Sequence, residues 1–238
     1  IDHALVDQVI MGCVGQAGEQ STNIARNAVL SSKFPESVPA VSVDSQCGSS
    51  QQALQFAAKA VMSGTMDVVI AAGVESMTRV PMGTPAVLAA KAGLGTSKSP
   101  AMEKRYPGVV FSQFTGAEMM AKKYGLTKDE LDRFSLRSHQ LAAKATREGW
   151  FKDEIVPVQI QLADGTPDMH VVDEGIRMDA TLEGIQGVKL LVEGGALTAA
   201  SSSQICDGAS GVMVVSERGL KQLGVKPLAR VHHMSALA

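Results

Sequence analysis

Between Val38 and Ala72 the chain reads as strand, helix, strand, and that order leaves few folds open. Residues 38–44 (Val-Pro-Ala-Val-Ser-Val-Asp) have the β-branched content of a strand, with the proline at the start, where a missing amide donor is tolerated. From Ser49 onward, apolar residues at 53, 54, 57, 58 and 61 recur at helical spacing, and Gly64 stands where a helix is capped. Residues 67–72 (Asp-Val-Val-Ile-Ala-Ala) form a continuous apolar strand, as in a sheet covered on both faces. Two strands joined through a helix imply a parallel, right-handed crossover. A buried strand over residues 8–13 and a helical stripe of Ile24, Ala25, Ala28 and Val29 precede the unit. The expected class is α/β.

From Met77 the texture changes. Pro81, Gly83, Pro85, Gly93, Gly95, Pro100, Pro107 and Gly108 punctuate a long stretch that reads as irregular, and such an excursion in a compact domain is usually functional or a subdomain. Thr127-Lys128-Asp129-Glu130 is a capping box opening a helix whose expected buried face is Leu131, Phe134, Leu141, Ala142 and Ala145. Residues 155–162 are strand-like, and residues 204–216 return to small and apolar side chains that suit the first core. The expected layout is a core of residues 1–76 with 206–223, an inserted α+β domain over 77–205, and residues 224–238 leading into a further domain. With no Met at Ile1 and an extended run from Arg230, both ends read as cut.

Charge and composition exclude several partners. A formal net charge of −2 and 45% hydrophobic residues give no reason to expect nucleic acid or an anionic membrane. No apolar run approaches the roughly 20 residues needed to span a bilayer. Three cysteines without paired spacing point to a reducing compartment, with the cytoplasm as the expected location. There is no CxxC pair and no HExxH, and the adjacent His232 and His233 make a poor chelate in extended chain, so no metal is expected.

Cys47 stands out by position, in Asp44-Ser45-Gln46-Cys47-Gly48-Ser49-Ser50-Gln51-Gln52, between a strand and a helix. Ligands bind at such turns in α/β sheets. The positive end of the following helix favours a thiolate, free backbone N–H groups there could hold an oxyanion, and Gly48 permits close approach of a substrate. The residues alone allow a second reading, a small cysteine packed under the helix. Cys13 reads as a core residue of its strand. His139 reads as a surface residue of the capped helix. Lys122-Lys123 and Lys104-Arg105 read as solvated charge that could attract phosphates.

Residues 46–52 (Gln-Cys-Gly-Ser-Ser-Gln-Gln), followed by 67–77 (Asp-Val-Val-Ile-Ala-Ala-Gly-Val-Glu-Ser-Met), resemble the nucleophile segment and downstream strand of the thiolase family. The resemblance continues in order through Thr115-Gly116-Ala117-Glu118, residues 151–158 (Phe-Lys-Asp-Glu-Ile-Val-Pro-Val), Asp173-Glu174-Gly175-Ile176-Arg177, residues 197–205 (Leu-Thr-Ala-Ala-Ser-Ser-Ser-Gln-Ile) and Asp207-Gly208-Ala209. It implies a thiolase-like layered fold, of which this chain holds the first βαβ half with the inserted loop domain. It also implies an acyl-CoA acyltransferase that cleaves 3-ketoacyl-CoA with CoA, or runs the reverse condensation. Cys47 would be the acyl-accepting nucleophile, Arg177 would lie near the adenine of CoA, and Ser203 would bond the pantetheine arm. CoA is then substrate rather than cofactor, and a homodimer or homotetramer is implied. The glutamine pair after Cys-Gly-Ser resembles degradative bacterial members.

Departures qualify these expectations. Cys206 sits in a Cys-Asp-Gly where Asn is usual in the family, and reads as structural. Phe111-Ser112-Gln113-Phe114 replaces a stretch where some members have histidine, with Phe114 where Gly is common, and residues 187–191 depart from the usual Lys-Leu-x-Pro-x-Phe. The family's Gly-His-Pro and Asn-Glu-Ala-Phe segments and its second reactive cysteine are absent, so residues 1–238 alone are expected to be inert. A thiolase-like protein that binds acyl-CoA or lipid without turnover, and a ketoacyl synthase relative using a carrier protein, are the competing readings.

Overall fold

The computed structural model describes residues 1–237; Ala238, the last residue of the segment expected to lead into a further domain, lies outside the described residues. The chain divides into two compact units, Ile1–Ser99 with Ile205–Ala238, and Pro100–Gln204.

In the first unit the order is β1 (Gln8–Gly12), α1 (Ile24–Leu30), β2 (Ala40–Val43), α2 (Ser49–Met62), β3 (Val68–Ser76) and α3 (Thr84–Lys91). In the second it is α4 (Pro100–Arg105), α5 (Gln113–Tyr124), α6 (Lys128–Arg147), β4 (Val158–Gln161), β5 (Pro167–His170) and α7 (Leu182–Gln186). The first unit is completed by β6 (Asp207–Val215) and α8 (Glu217–Leu223). The main sheet has the order β2-β1-β3-β6: β1 runs parallel to both neighbours, and β6 pairs antiparallel with β3, Val68 opposite Val215 through Ser76 opposite Asp207.

The alternation of side chains along these strands builds two cores. Val9 of β1 and Val68 of β3 turn to one face and pack with Val6, Val29 of α1 and Val38, joined by Ile70, Met213 and Leu223 of α8. Ile10, Val69 and Ala71 turn to the other face, against Ala53 and Ala57 of α2. The sheet is therefore covered on both sides, which explains why residues 67–72 carry no polar alternation.

Asp67, at the foot of β3, ties the last helix to the sheet. Its carboxylate accepts from Ser216 Oγ at 2.5 Å and from Arg218 Nε at 2.7 Å. The Arg218 and Ser216 hydrogen bonds hold that carboxyl below the usual carboxylate range. A group depressed by folding stabilises the folded state above its unfolded pKa, and that contribution is lost as pH falls through the folded value. Asp67→Asn is therefore expected to be less stable than wild type at neutral pH. The gap should close below the ordinary carboxylate range, as measured by urea titrations at both pH values.

The stretch that reads as irregular contains three helices, α3 in the first unit and α4 and α5 in the second. Apart from Gly116 within α5, its prolines and glycines sit at helix ends or between helices: Gly83 precedes α3, Pro85 lies in its first turn, Pro100 opens α4, and Gly125 caps α5 in a left-handed conformation. The capping box at Thr127 is present, with Glu130 N donating to Thr127 Oγ1 at 3.3 Å and Thr127 N donating to Glu130 Oε2 at 2.8 Å.

The buried face of α6 differs from the expected one. Phe134 and Leu141 are exposed (75% and 55%), while Asp132, Ser135, Ala143 and Ala145 are buried. The helix meets α7 and the turn of residues 199–201, so its inner stripe is small and polar and answers neighbouring backbone groups. Asp132, 1% exposed, pairs with Lys128 Nζ at 2.5 Å, and the same ammonium donates to Gln186 O of α7 at 3.1 Å.

Candidate active site

Cys47 lies in the turn between β2 and α2, one residue before Gly48, the N-cap of the helix. Its thiol is exposed, so the reading of a cysteine sealed under the helix does not hold. Gln46, just before it, has a positive φ of 49°, uncommon for a side chain of its size, and such strain clusters at functional turns. Local hydrogen bonds hold the kink: Gln46 N donates to Asp44 Oδ1 at 2.8 Å, Ser45 N donates to Ser49 Oγ at 2.9 Å, and Ser49 Oγ donates to Gln46 O at 2.5 Å. Gly48 N and Ser49 N turn back onto Ser45 O and Gln46 O, so the turn itself uses those two amides.

Beneath the first turn of α2, two glycines face each other across paired strands, Gly12 of β1 opposite Gly73 of β3. A Cβ on Gly12 would collide with the backbone of Ser49 and Ser50, and one on Gly73 would collide with the Ser50 side chain. Only hydrogen fits at either place, and this brings the mouth of α2 directly onto the sheet. Buried Gln55 on the same helix donates to Ser235 O at 2.9 Å.

Carboxylates brace the surrounding loops. Glu75, at the end of β3, accepts from Val14 N at 2.9 Å, Gly15 N at 3.1 Å and Gln20 Nε2 at 2.9 Å, while Gln20 Oε1 accepts from Ser76 N at 2.6 Å. Asp207 accepts from Thr78 Oγ1 and N and from Ser76 Oγ, and these bonds, Thr78 first, hold its carboxyl below the usual range. In the second unit Glu118 accepts from Ala196 N and Leu197 N at 2.9 Å each, and Gly195 lets that carboxylate approach. These acids are missed by a search for chemistry, because their work is to satisfy loop amides. The signal present in the sequence was a Glu or Asp within two residues of a Gly in each block.

The other cysteines separate cleanly. Cys13 is 1% exposed, and burial, then the charges of Glu75 and Asp44, push its thiol up to about 11. Cys206 is exposed beside Asp207. Iodoacetamide at neutral pH is expected to alkylate Cys47 and Cys206 in the native protein and Cys13 only after unfolding. Peptide mass mapping reads this; equal labelling of Cys13 would contradict its burial.

Arg177 and Ser203 belong to the second unit and Cys47 to the first. Arg177 is exposed, in a segment without helix or strand. Its backbone N donates to His139 Nδ1 of α6 at 3.2 Å, so His139 is a hydrogen-bond partner of that segment rather than an idle surface residue. Ser203 is exposed, just past the turn of residues 199–201, which Thr198 caps. An apolar groove of about 470 Å³ on the face of the sheet away from α2, lined by Met11, Ile24, Val74 and Ala209 among others, includes none of these residues.

The first unit is thus an α/β sheet covered on both faces, with a solvent-open cysteine at the mouth of a helix whose first turn lies against paired glycines. The chain belongs to the thiolase family: the model for "Thiolase, N-terminal domain" matches residues 1–218. It is 46% identical to a protein named steroid 3-ketoacyl-CoA thiolase FadA6 of Mycobacterium tuberculosis, with 100% of this chain and 58% of the relative covered. It is 37% identical to a 3-ketoacyl-CoA thiolase of Cronobacter sakazakii (100% and 59% covered) and 41% identical to one of Photorhabdus laumondii (98% and 58%). The chain thus spans about six-tenths of the length of these relatives. Among the described residues no helix is long and apolar enough to cross a membrane.

Proposed function

We propose that this protein is an acyl-CoA acyltransferase that cleaves 3-ketoacyl-CoA with CoA to acetyl-CoA and a shortened acyl-CoA, or runs the reverse condensation, through an acyl thioester on Cys47. The observation that carries the reading is the exposed Cys47 thiol at the mouth of α2 in a chain of the thiolase family. The thiolate adds to the 3-keto carbon, and the C2–C3 bond breaks. The acetyl-CoA carbanion leaves and takes a proton, and the acyl group remains on sulfur until a CoA thiolate attacks and releases Cys47. Cysteine suits this sequence because its thiolate is both a strong nucleophile and an adequate leaving group.

Arg177 would stack its guanidinium near the adenine of CoA, and Ser203 would hydrogen-bond the pantetheine arm. Their exposure in the second unit is compatible with both roles. The names of the relatives support a 3-ketoacyl thioester as substrate. That of the Mycobacterium tuberculosis protein also brings steroid-derived acyl chains into range. The same reading carries a homodimer or homotetramer in the cytoplasm.

The test is intact mass spectrometry of the full-length protein after exposure to acyl-CoA. One added acyl group that maps to Cys47 and leaves on addition of CoA is expected. Tight CoA binding with no acyl group on Cys47 would instead make this a binding protein without turnover, and acylation only from a carrier-protein thioester would make it a ketoacyl synthase relative.

A further inference from the structure

Residues 175–180 carry Arg177 but have no helix or strand of their own, so their backbone must be satisfied from outside. Two of the anchors come from one stripe of α6, where His139, Ala143 and Arg147 are spaced four residues apart and therefore share a helix face. His139 Nδ1 accepts from Arg177 N at 3.2 Å, and Arg147 Nη2 donates to Met178 O at 3.0 Å; Ala143 between them is buried. A third anchor comes from Gln204, the neighbour of Ser203, whose Nε2 donates to Gly175 O. A single turn closes the segment, Ala180 N donating to Arg177 O at 3.2 Å. Among the described residues, the one bond on the Arg177 amide is that to His139.

We infer that His139 is a positioning residue for the nucleotide end of CoA. By accepting the Arg177 amide it fixes the backbone from which the guanidinium reaches the adenine. The inference rests on the role proposed above for Arg177 and goes beyond it. The imidazole must present an unprotonated Nδ1 to the amide, which places its proton on Nε2. An imidazole nitrogen accepts this one amide without the negative charge that a carboxylate acceptor would place beside the arginine.

The experiment measures thiolysis by the full-length protein with CoA and with pantetheine, which lacks the nucleotide. Loss of one hydrogen bond of this kind corresponds to about a fivefold effect. His139→Ala is expected to raise KM for CoA by about fivefold with kcat kept, and to leave KM for pantetheine unchanged. His139→Asn, whose Oδ1 can stand near the Nδ1 position, should recover most of the loss, and His139→Ala should add nothing in an Arg177→Ala background. Equal losses with both thiols, additivity with Arg177→Ala, or no change in His139→Ala would each overturn the inference while leaving the acyltransferase reading intact. A wild-type protein that uses neither thiol overturns both.

Discussion

A Cys47→Ala variant of the full-length protein is expected to lose thiolysis of a 3-ketoacyl-CoA by about ten-thousandfold or more. Alanine removes the only atom in the turn that can form and later release a thioester. The backbone that presents it should persist, because its hydrogen bonds run through Asp44, Ser45, Gln46 and Ser49 and none uses the sulfur. Cys47 is exposed and belongs to neither buried cluster, so stability should stay within about half a kcal/mol of wild type. The measurement pairs loss of the 3-ketoacyl chromophore with a thermal melt. Retained turnover, or lost turnover accompanied by a large drop in melting temperature, would each contradict this account of the cysteine.

The second large effect comes from removing a void rather than an atom. Gly12→Ala is expected to destabilise the first unit by about 3 kcal/mol, near the upper end for overpacking, since the new methyl meets the backbone of Ser49 and Ser50. Nothing at the end of a side chain can swing aside there, and the helix itself must shift. A shift of about an ångström at the mouth of α2 should also lower kcat by about a hundredfold. Gly73→Ala differs in kind, because its methyl meets the Ser50 side chain. Its loss should therefore be partly restored by adding Ser50→Gly, whereas no such partner rescues Gly12→Ala. Thermal melts and initial rates of the two glycine variants, each alone and combined with Ser50→Gly, decide the matter; equal rescue of both glycines would mean that the helix is free to move.

Much of the α/β core was readable because it follows from local signals. Apolar spacing placed α2 from Ser49 to Met62, and Gly64 follows it with a positive φ. The Thr127 box marked the start of α6. Reading failed where tertiary partners decide. Phe134 and Leu141 looked like core because they are large and apolar, but the inner face of α6 answers α7 and the turn at 199–201, and small or polar residues do that better. The helices between Thr84 and Tyr124 were hidden because their breakers stand at the ends, and a count of prolines and glycines does not distinguish an end from an interruption. The antiparallel pairing of β6 is also absent from local sequence, since an apolar run carries no direction. At the site, the turn around Cys47 was visible as a strand-to-helix junction. The paired glycines beneath it and the imidazole beneath Arg177 were not, because each acts on a backbone far away in sequence.

The left-handed kink at Gln46 separates how the reactive atom is displayed from which atom it is. A serine or selenocysteine installed at position 47 would inherit the same outward aim, so differences among such variants would report nucleophile chemistry alone. Randomising position 46 should instead select residues that tolerate that twist, chiefly glycine and asparagine, whatever chemistry is demanded next door.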